Sequence, residues 1–311
     1  MDEIMTFREL AGEWLAYKRG MVKESTTANY HGLLSYTILP YFGETEVSRF
    51  GKADGQKFVG HLLALGKSVK YIRDSIGVLR QLLEYASDVY DMDVPPDFKV
   101  KYPTRNVNNA DNRVCAYTKD DAAKIIEYCT ANLSPRNLGV ILAFYTGMRI
   151  GELCGLRWED VDLKERVIHV RRTLQRVHEP GQTTRITLQP PKTAHSYRSI
   201  PIAKSIFPML KEMSRGMRLD YYVLSGSVHP AEPRTYRQYY YNLLRKNVPS
   251  SSCLTFHAIR HTFASQLITG GQDVKTVSEL LGHSNAAITL AIYTHSNEAA
   301  KRKCADALKY Y

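Results

Sequence analysis

At 311 residues, with 44% apolar and 23% charged side chains, the chain has the composition of an ordinary soluble protein, long enough for two domains with separate cores. Five scattered cysteines without a CxxC pair argue against a disulfide framework or a cysteine zinc site, apolar runs such as 139–145 are too short to span a bilayer, and the start MDEIMTFREL lacks the order of a secretory signal, so a reducing cytoplasm is expected. The net charge is +11, and because residues 1–105 hold 14 basic and 14 acidic side chains, residues 106–311 carry the whole excess, which points to a polyanionic partner, by default nucleic acid.

The N-terminal part reads as four short amphipathic helices. Thr6 and Glu9 form a capping-box pattern ahead of Phe7, Leu10, Ala11, Trp14 and Leu15, which share one helical stripe, and Gly20 supplies a stop. A second helix is expected from near Ser25, turning Tyr30, Leu33 and Leu34 inward and ending before Pro40. A third runs through Phe58, Val59, Leu62 and Leu63 to Gly66, and a fourth starts at Ser68 and aligns Ile72, Ile76, Leu79, Leu83 and Ala86. Periodicity is then lost over 93–113, where Pro, Asn and charge dominate, as in an extended interdomain linker. Its basic residues, Lys99, Lys101, Arg105 and Arg113, suit either a phosphate backbone or a solvated tether.

The second domain opens with a helix capped by Thr118 and another opened by Ser134-Pro135, proline taking the favoured first helical position. Two β-rich stretches, 166–177 and 185–202, flank a loop at Pro180-Gly181. Helices are expected over 204–217, 234–247, 256–269, 274–281 and around 288–293. The fold class is therefore mainly α with one small antiparallel sheet.

Several polar residues fit no core. Arg149, in FYTGMRIGELCGLRW, follows a glycine turn amid apolar positions with Glu152 three residues on, and is either a buried ion pair or an anion clamp. Lys192 sits where a strand enters a turn, a place where lysines usually point to solvent. His257 and Arg260 are spaced i, i+3 and share a helix face, while His257 and His261 have the i, i+4 spacing of a zinc pair, which His283 could complete. Against zinc, position 258 is Ala where the protease motif needs Glu, and an arginine on the same face opposes a cation. Tyr293, ten residues after His283, is one of 21 tyrosines.

In order, Arg149, Lys192, His257-x-x-Arg260, His283 and Tyr293, in the contexts TGMRIGEL, PKTAHSYRSIPI, HAIRHTFAS, LLGHSN and IYTH, resemble the tyrosine recombinases, the phage-integrase family of site-specific DNA recombinases. The resemblance spans roughly 115–296, and residues 5–95 look like the helical, SAM-like core-binding domain that precedes the catalytic domain in that family. It implies a core-binding domain at 1–95, a linker at 96–113, an α+β catalytic domain at 114–296 and a tail at 297–311 exchanged between subunits.

It implies in addition six catalytic residues: Tyr293 as nucleophile forming a 3′-phosphotyrosine, Arg149 and Arg260 on the phosphate, Lys192 as general acid, His257 assisting the nucleophile and His283 donating to the phosphate. Glu152 would orient the cluster, and His261 would serve local structure. Neither metal, ATP nor another cofactor is expected. The implied partners are double-stranded DNA at specific sites, a homotetramer assembled on DNA from free monomers, and accessory DNA-bending or directionality proteins, with no membrane; the implied location is the cytoplasm, on the nucleoid. The long hairpin region 166–202 looks more like a mobile-element integrase than a chromosome-dimer resolvase. An arm-binding module such as integrases carry is expected to be absent or removed, since the helical domain starts almost at Met1. A type IB topoisomerase, a DNA-binding regulator without catalysis and a zinc-dependent hydrolase are the competing readings.

Overall fold

The computed structural model describes residues 5–103, 116–177, 181, 183–190, 197–251, 254–283 and 285–291. The chain divides into two compact units, one of residues 1–112 with 176–185, the other of 113–175 with 186–311.

The first unit is helical. Helix α1 (Phe7–Arg19) starts at the expected capping box: the Thr6 hydroxyl accepts the Glu9 N–H at 3.3 Å, and the Glu9 carboxylate accepts the Thr6 N–H at 2.8 Å. Its stripe of Phe7, Leu10, Ala11, Trp14 and Leu15 is buried as the periodicity requires. Helix α2 (Glu24–Leu33) does not end before Pro40. It passes through one π turn, Leu34–Ile38, into α3 (Leu39–Phe42), with Pro40 in the first turn of that last segment. Proline is tolerated there because the π turn has already reset the hydrogen-bond ladder, Leu39 N–H reaching back to Leu34 O. Burial of Leu34, Thr37, Ile38 and Phe42 holds the helical path across the break. Helices α4 (Lys52–Ala64) and α5 (Val69–Tyr90) complete the bundle, the Ser68 hydroxyl capping α5 at Tyr71 N–H.

An aromatic chain fills the core, with Phe7 and Phe42 centroids 5.3 Å apart, Phe42 and Phe58 5.1 Å, and Phe50 and Phe98 5.2 Å. Phe98 lies beyond the expected end of the helical domain. It is nonetheless buried, and Arg80 Nη2 donates to its carbonyl at 2.7 Å, so packing against this unit continues past α5.

The second unit wraps around α7 (Pro135–Thr146), whose residues from Asn137 to Phe144 are all buried. Helix α6 (Lys119–Ala131), capped by the Thr118 hydroxyl, and the five-residue α8 (Ile150–Cys154) pack beside it. Strands β1 (Val161–Asp162), β2 (Val167–Val170) and β5 (Arg198–Pro201) form an antiparallel sheet in the order β1-β2-β5, with Ile168 opposite both Val161 and Ile200. Strands β3 (Thr173–Val177) and β4 (Arg185–Gln189) form a second, two-stranded sheet. Among the described residues the expected single sheet is thus two, the first ending at the Val170–Arg198 pair. Just beyond it, the Arg172 guanidinium pairs with Asp160 at 3.1 Å and Glu159 at 2.8 Å.

Helix α9 (Phe207–Met213) is shorter than the expected 204–217, since Pro208 favours a start just before it. Helices α10 (Pro233–Asn247), α11 (His257–Thr269), α12 (Val274–Leu281) and α13 (Ala286–Ala291) lie close to the expected spans. Cys129 and Cys154 are free, buried thiols, and burial pushes that of Cys129 up to about 12. Among the described residues, no helix is long and apolar enough to cross a membrane.

Candidate active site

The site assembles where α7 ends, α8 begins and α12 ends. Gly147 stops α7 in the left-handed region at φ 62°, where a Cβ would lie 2.6 Å from the Phe263 ring and 2.9 Å from Leu281. Two residues later Arg149 stands at the start of α8 in extended conformation, φ −71° and ψ 150°. Glu152, in the first turn of that helix, accepts the Arg149 backbone N–H at 2.9 Å and its Nη1–H at 2.8 Å. The sequence left Arg149 as either a buried pair or a clamp. The fold shows the pair: the Glu152 carboxylate is buried, while the Arg149 side chain remains 39% exposed.

Helix α12 ends at Gly282, also left-handed at φ 65°, which turns the Leu281 and Gly282 carbonyls toward α8 and α11. Arg260, buried on α11, donates from Nη1 to Gly147 O at 2.8 Å and from Nη2 to Leu281 O at 2.6 Å. Arg149 Nη2 reaches Gly282 O at 3.4 Å. The two guanidinium groups therefore hold consecutive carbonyls of one turn. Two of the five N–H groups of Arg260 are used in this way. A cavity of about 270 Å³ opens here, lined by Arg149, His257 and Arg260 together with Arg237, Tyr241 and Phe256. A larger depression of about 540 Å³ near the start of α7, lined by Ser134, Arg136, His229 and Glu232, contains none of the residues singled out by their motifs.

His283 follows the turn directly, its backbone N–H on Ser278 O at 3.0 Å and its Nδ1 2.8 Å from the Thr289 hydroxyl. His257 is exposed at the start of α11, and its ring meets His261 edge-on at 4.7 Å. His261 is half-buried and its Nδ1 has no hydrogen-bond partner among the described residues. Lys192 and Tyr293, like the tail 297–311, lie outside the described residues.

Sequence reasoning missed Arg198. From β5 it grips Glu152 with both arms, Nη2 to Oε2 at 2.9 Å and Nη1 to Oε1 at 3.2 Å, while its Nε donates to Leu280 O at 2.6 Å. Its side chain is 5% exposed, that of Glu152 4%. A signal was present, because Arg198 shares the inward register of β5 with Ile200, and alternation calls for an apolar residue there. Arg237 and Tyr241, one turn apart on α10, were also unmarked.

Two guanidinium groups, those of Arg149 and Arg198, thus grip one carboxylate, with Arg260 near enough to feel its charge, and the titration of the cluster reflects it. Burial acts to raise Glu152, but hydrogen bonds and charge from Arg198 and Arg149 outweigh it and leave the carboxyl below its usual range. Burial, then Arg149, presses Arg260 down to about 9, so it stays charged at neutral pH. Burial and Arg260 take His283 down to about 4, and burial and His257 do the same to His261. His257 is lowered as well, by desolvation and then by Arg260 and Arg149. Desolvation is the largest cause in Arg260 and in each of the three histidines, and neighbouring cations add to it, as expected of a partly buried cluster with more positive than negative charge.

The phage integrase family model matches residues 116–300, and the N-terminal SAM-like domain of phage integrases matches 6–63. A tyrosine recombinase XerC-like protein of Caldanaerobacter subterraneus subsp. tengcongensis is 32% identical over 279 residues, covering 81% of this chain and 69% of the relative. The ICEBs1 integrase of Bacillus subtilis is 23% identical over 318 residues, covering 98% of this chain and 83% of that one. Among solved structures, the Tn1549 transposon integrase in complex with transposon right end DNA superposes with a TM-score of 0.79 at 22% identity, covering 98% of this chain and 99% of that one. A lambda integrase tetramer bound to a Holliday junction gives 0.66 at 16% identity, covering 96% and 80%.

Proposed function

The chain belongs to the phage integrase family and is a tyrosine site-specific recombinase, and from that premise we propose that it cuts and rejoins duplex DNA of a mobile element or phage through Tyr293, with Arg149 and Arg260 holding the scissile phosphate. The observation that carries this assignment is the convergence of the two guanidinium groups on the Leu281–Gly282 turn, beside a cavity that also takes in His257.

The chemistry follows from the residue types. The Tyr293 oxygen attacks phosphorus in line, the bond to the 5′-oxygen breaks, and the product is a 3′-phosphotyrosine with a free 5′-hydroxyl. A 5′-hydroxyl from a partner strand then attacks that phosphotyrosine, reseals the backbone and returns the phenol. One phosphoester is exchanged for another, so no nucleotide hydrolysis is required.

Charge develops on the non-bridging oxygens in the transition state. Arg149 and Arg260 meet it with charge-assisted hydrogen bonds, each worth about 10²–10³ in rate if removed. A free phenol has a pKa near 10 and is a poor nucleophile at neutral pH. His257, lowered first by desolvation and then by Arg260 and Arg149, is the base assigned to the Tyr293 proton. Lys192 is the acid that protonates the leaving 5′-oxygen. His283, also neutral, serves as a hydrogen-bond donor to the phosphate.

Duplex DNA enters through phosphate contacts dominated by residues 106–311, which hold the whole +11 excess. Four copies act on a pair of sites, assembled from free monomers and joined by the 297–311 tail, in the cytoplasm on the nucleoid, with accessory DNA-bending or directionality proteins setting the outcome. Residues 1–95 would form the core-binding domain and 114–296 the catalytic domain, both on the DNA.

A nicked suicide substrate carrying the cognate site tests the nucleophile. The parent protein forms a covalent protein–DNA adduct, and Tyr293→Phe forms none while still binding DNA. Adducts that persist in Tyr293→Phe would exclude Tyr293; plasmid relaxation independent of any site would favour a topoisomerase.

A further inference from the structure

Deepening the role assigned to His283, and resting on that reading, we infer that Thr289 is a positioning residue whose hydroxyl donates to His283 Nδ1 and so keeps the imidazole proton on Nε2, the nitrogen left to face the phosphate. The contact is 2.8 Å long and joins the turn after α12 to the middle of α13. Thr289 is fully buried.

A neutral imidazole has one N–H and one bare nitrogen, and it donates to a phosphate only from the nitrogen that holds the proton. Two arrangements satisfy the observed distance. In the first, Nδ1–H donates to the Thr289 oxygen. The hydroxyl proton then needs an acceptor of its own, and among the described residues Thr289 Oγ1 makes no hydrogen bond other than the one to His283. A buried polar group left unpaired costs about 1–3 kcal/mol. In the second, the hydroxyl donates to Nδ1, both groups are satisfied, and Nε2 carries the proton. The second arrangement is favoured, and it is the one a phosphate donor needs.

The surroundings explain why such a lock is useful. Arg149 from the start of α8, Arg198 from β5, and His257 and Arg260 from α11 all act on His283, with Glu152 as the carboxylate among them. Burial first, and then their combined charge, keeps the ring neutral, so it does not gain donors by protonating near neutral pH. A neutral ring with a free choice of tautomer would spend part of its time presenting a lone pair to the phosphate oxygens, which is repulsive. A hydroxyl six residues ahead in the chain removes that choice and also fixes the plane of the ring.

The test combines kinetics with a direct reading of the proton. Thr289→Val keeps the shape of the side chain and deletes the hydroxyl; Thr289→Ser keeps the hydroxyl. Single-turnover adduct formation on the suicide substrate is expected to fall about 10–100-fold in Thr289→Val, as when the partner that orients a working imidazole is lost, and to recover most of that loss in Thr289→Ser. In ¹⁵N-histidine-labelled parent protein, with His283 assigned by its absence from His283→Gln, two-bond nitrogen–proton correlations are expected to show the Nε2–H form. An Nδ1–H form in the parent overturns the inference, whatever the variants do. So does a Thr289→Val rate within about twofold of the parent, or a Thr289→Ser rate as low as that of Thr289→Val. If Thr289→Val melts before assay, the tautomer and the serine variant decide. The tautomer is read without DNA, so its outcome stands apart from that of Tyr293→Phe, which tests the nucleophile.

Discussion

Replacing Arg198 with methionine removes a guanidinium that ties three elements together. In the parent it makes a bidentate pair with Glu152 and a 2.6 Å hydrogen bond to Leu280 O, with both charged side chains nearly sealed from water. Breaking a buried pair by deleting one partner typically costs 3–5 kcal/mol, because a desolvated charge is left behind. Here Glu152 keeps Arg149 Nη1 at 2.8 Å and the Arg149 N–H at 2.9 Å, so the lower end applies, about 3 kcal/mol. For a unit of this size that is a fall in Tm of about 6–12 °C.

The chain has two tryptophans, Trp14 in the first unit and Trp158 in the second, so urea melts in a Trp14→Phe background report on the unit that holds the site. Adding Glu152→Gln removes the stranded charge, and the double variant should lose at least about 1.5 kcal/mol less than the sum of the single losses. The pH dependence gives a further check. Glu152 is depressed in the folded parent, so its contribution is present above the unfolded carboxylate pKa and fades as pH falls through the folded one. Without Arg198 the folded pKa rises, and the deficit of Arg198→Met must shrink as pH falls from 7 toward 4. A loss under about 1 kcal/mol, an additive cycle, or a deficit that widens in acid would refute the keystone role.

Arg260→Lys keeps a positive charge but cannot hold Gly147 O and Leu281 O while still offering further N–H groups to a phosphate; single-turnover cleavage should fall about 10²–10³-fold, and a near-parental rate would remove Arg260 from the phosphate. Gly147→Ala places a Cβ 2.6 Å from Phe263 at φ 62°, so left-handed strain and overpacking together should cost about 2–4 kcal/mol in a urea melt, and an unchanged midpoint would show that the α7–α8 turn relaxes freely.

What was legible in the sequence follows the range of the forces involved. The Thr6–Glu9 box, the Ser134-Pro135 start and the Ser68 cap are bonds between residues three apart, and each could be read from a few letters. The helical path across Pro40 could not, because it depends on the burial of Ile38 and Phe42 in a core supplied by other helices. The site divides in the same way. Arg149, Arg260 and His283 announce themselves as polar residues in apolar stretches, but what they hold does not. Arg260 reaches across 113 residues to Gly147 O, and Arg198 across 46 to Glu152. Lys192 and Tyr293 were singled out by family order rather than by any local oddity.

This separation has a physical cause that bears on function. A guanidinium placed on a core-facing position costs desolvation, and the fold offsets that cost with partners gathered from distant segments. Glu152 neutralises one positive charge of the three on Arg149, Arg198 and Arg260, and backbone carbonyls satisfy hydrogen bonds without cancelling charge. Burial is the larger force pressing His283 and Arg260 downward, and the uncancelled remainder adds to it. If an anion completes the cluster, a bound phosphodiester must raise both, and His283 followed by NMR should titrate above its free-protein value of about 4 once DNA carrying the site is bound to Tyr293→Phe. A value that stays put or falls on binding would mean that the phosphate lies elsewhere, and that the arginines serve packing alone.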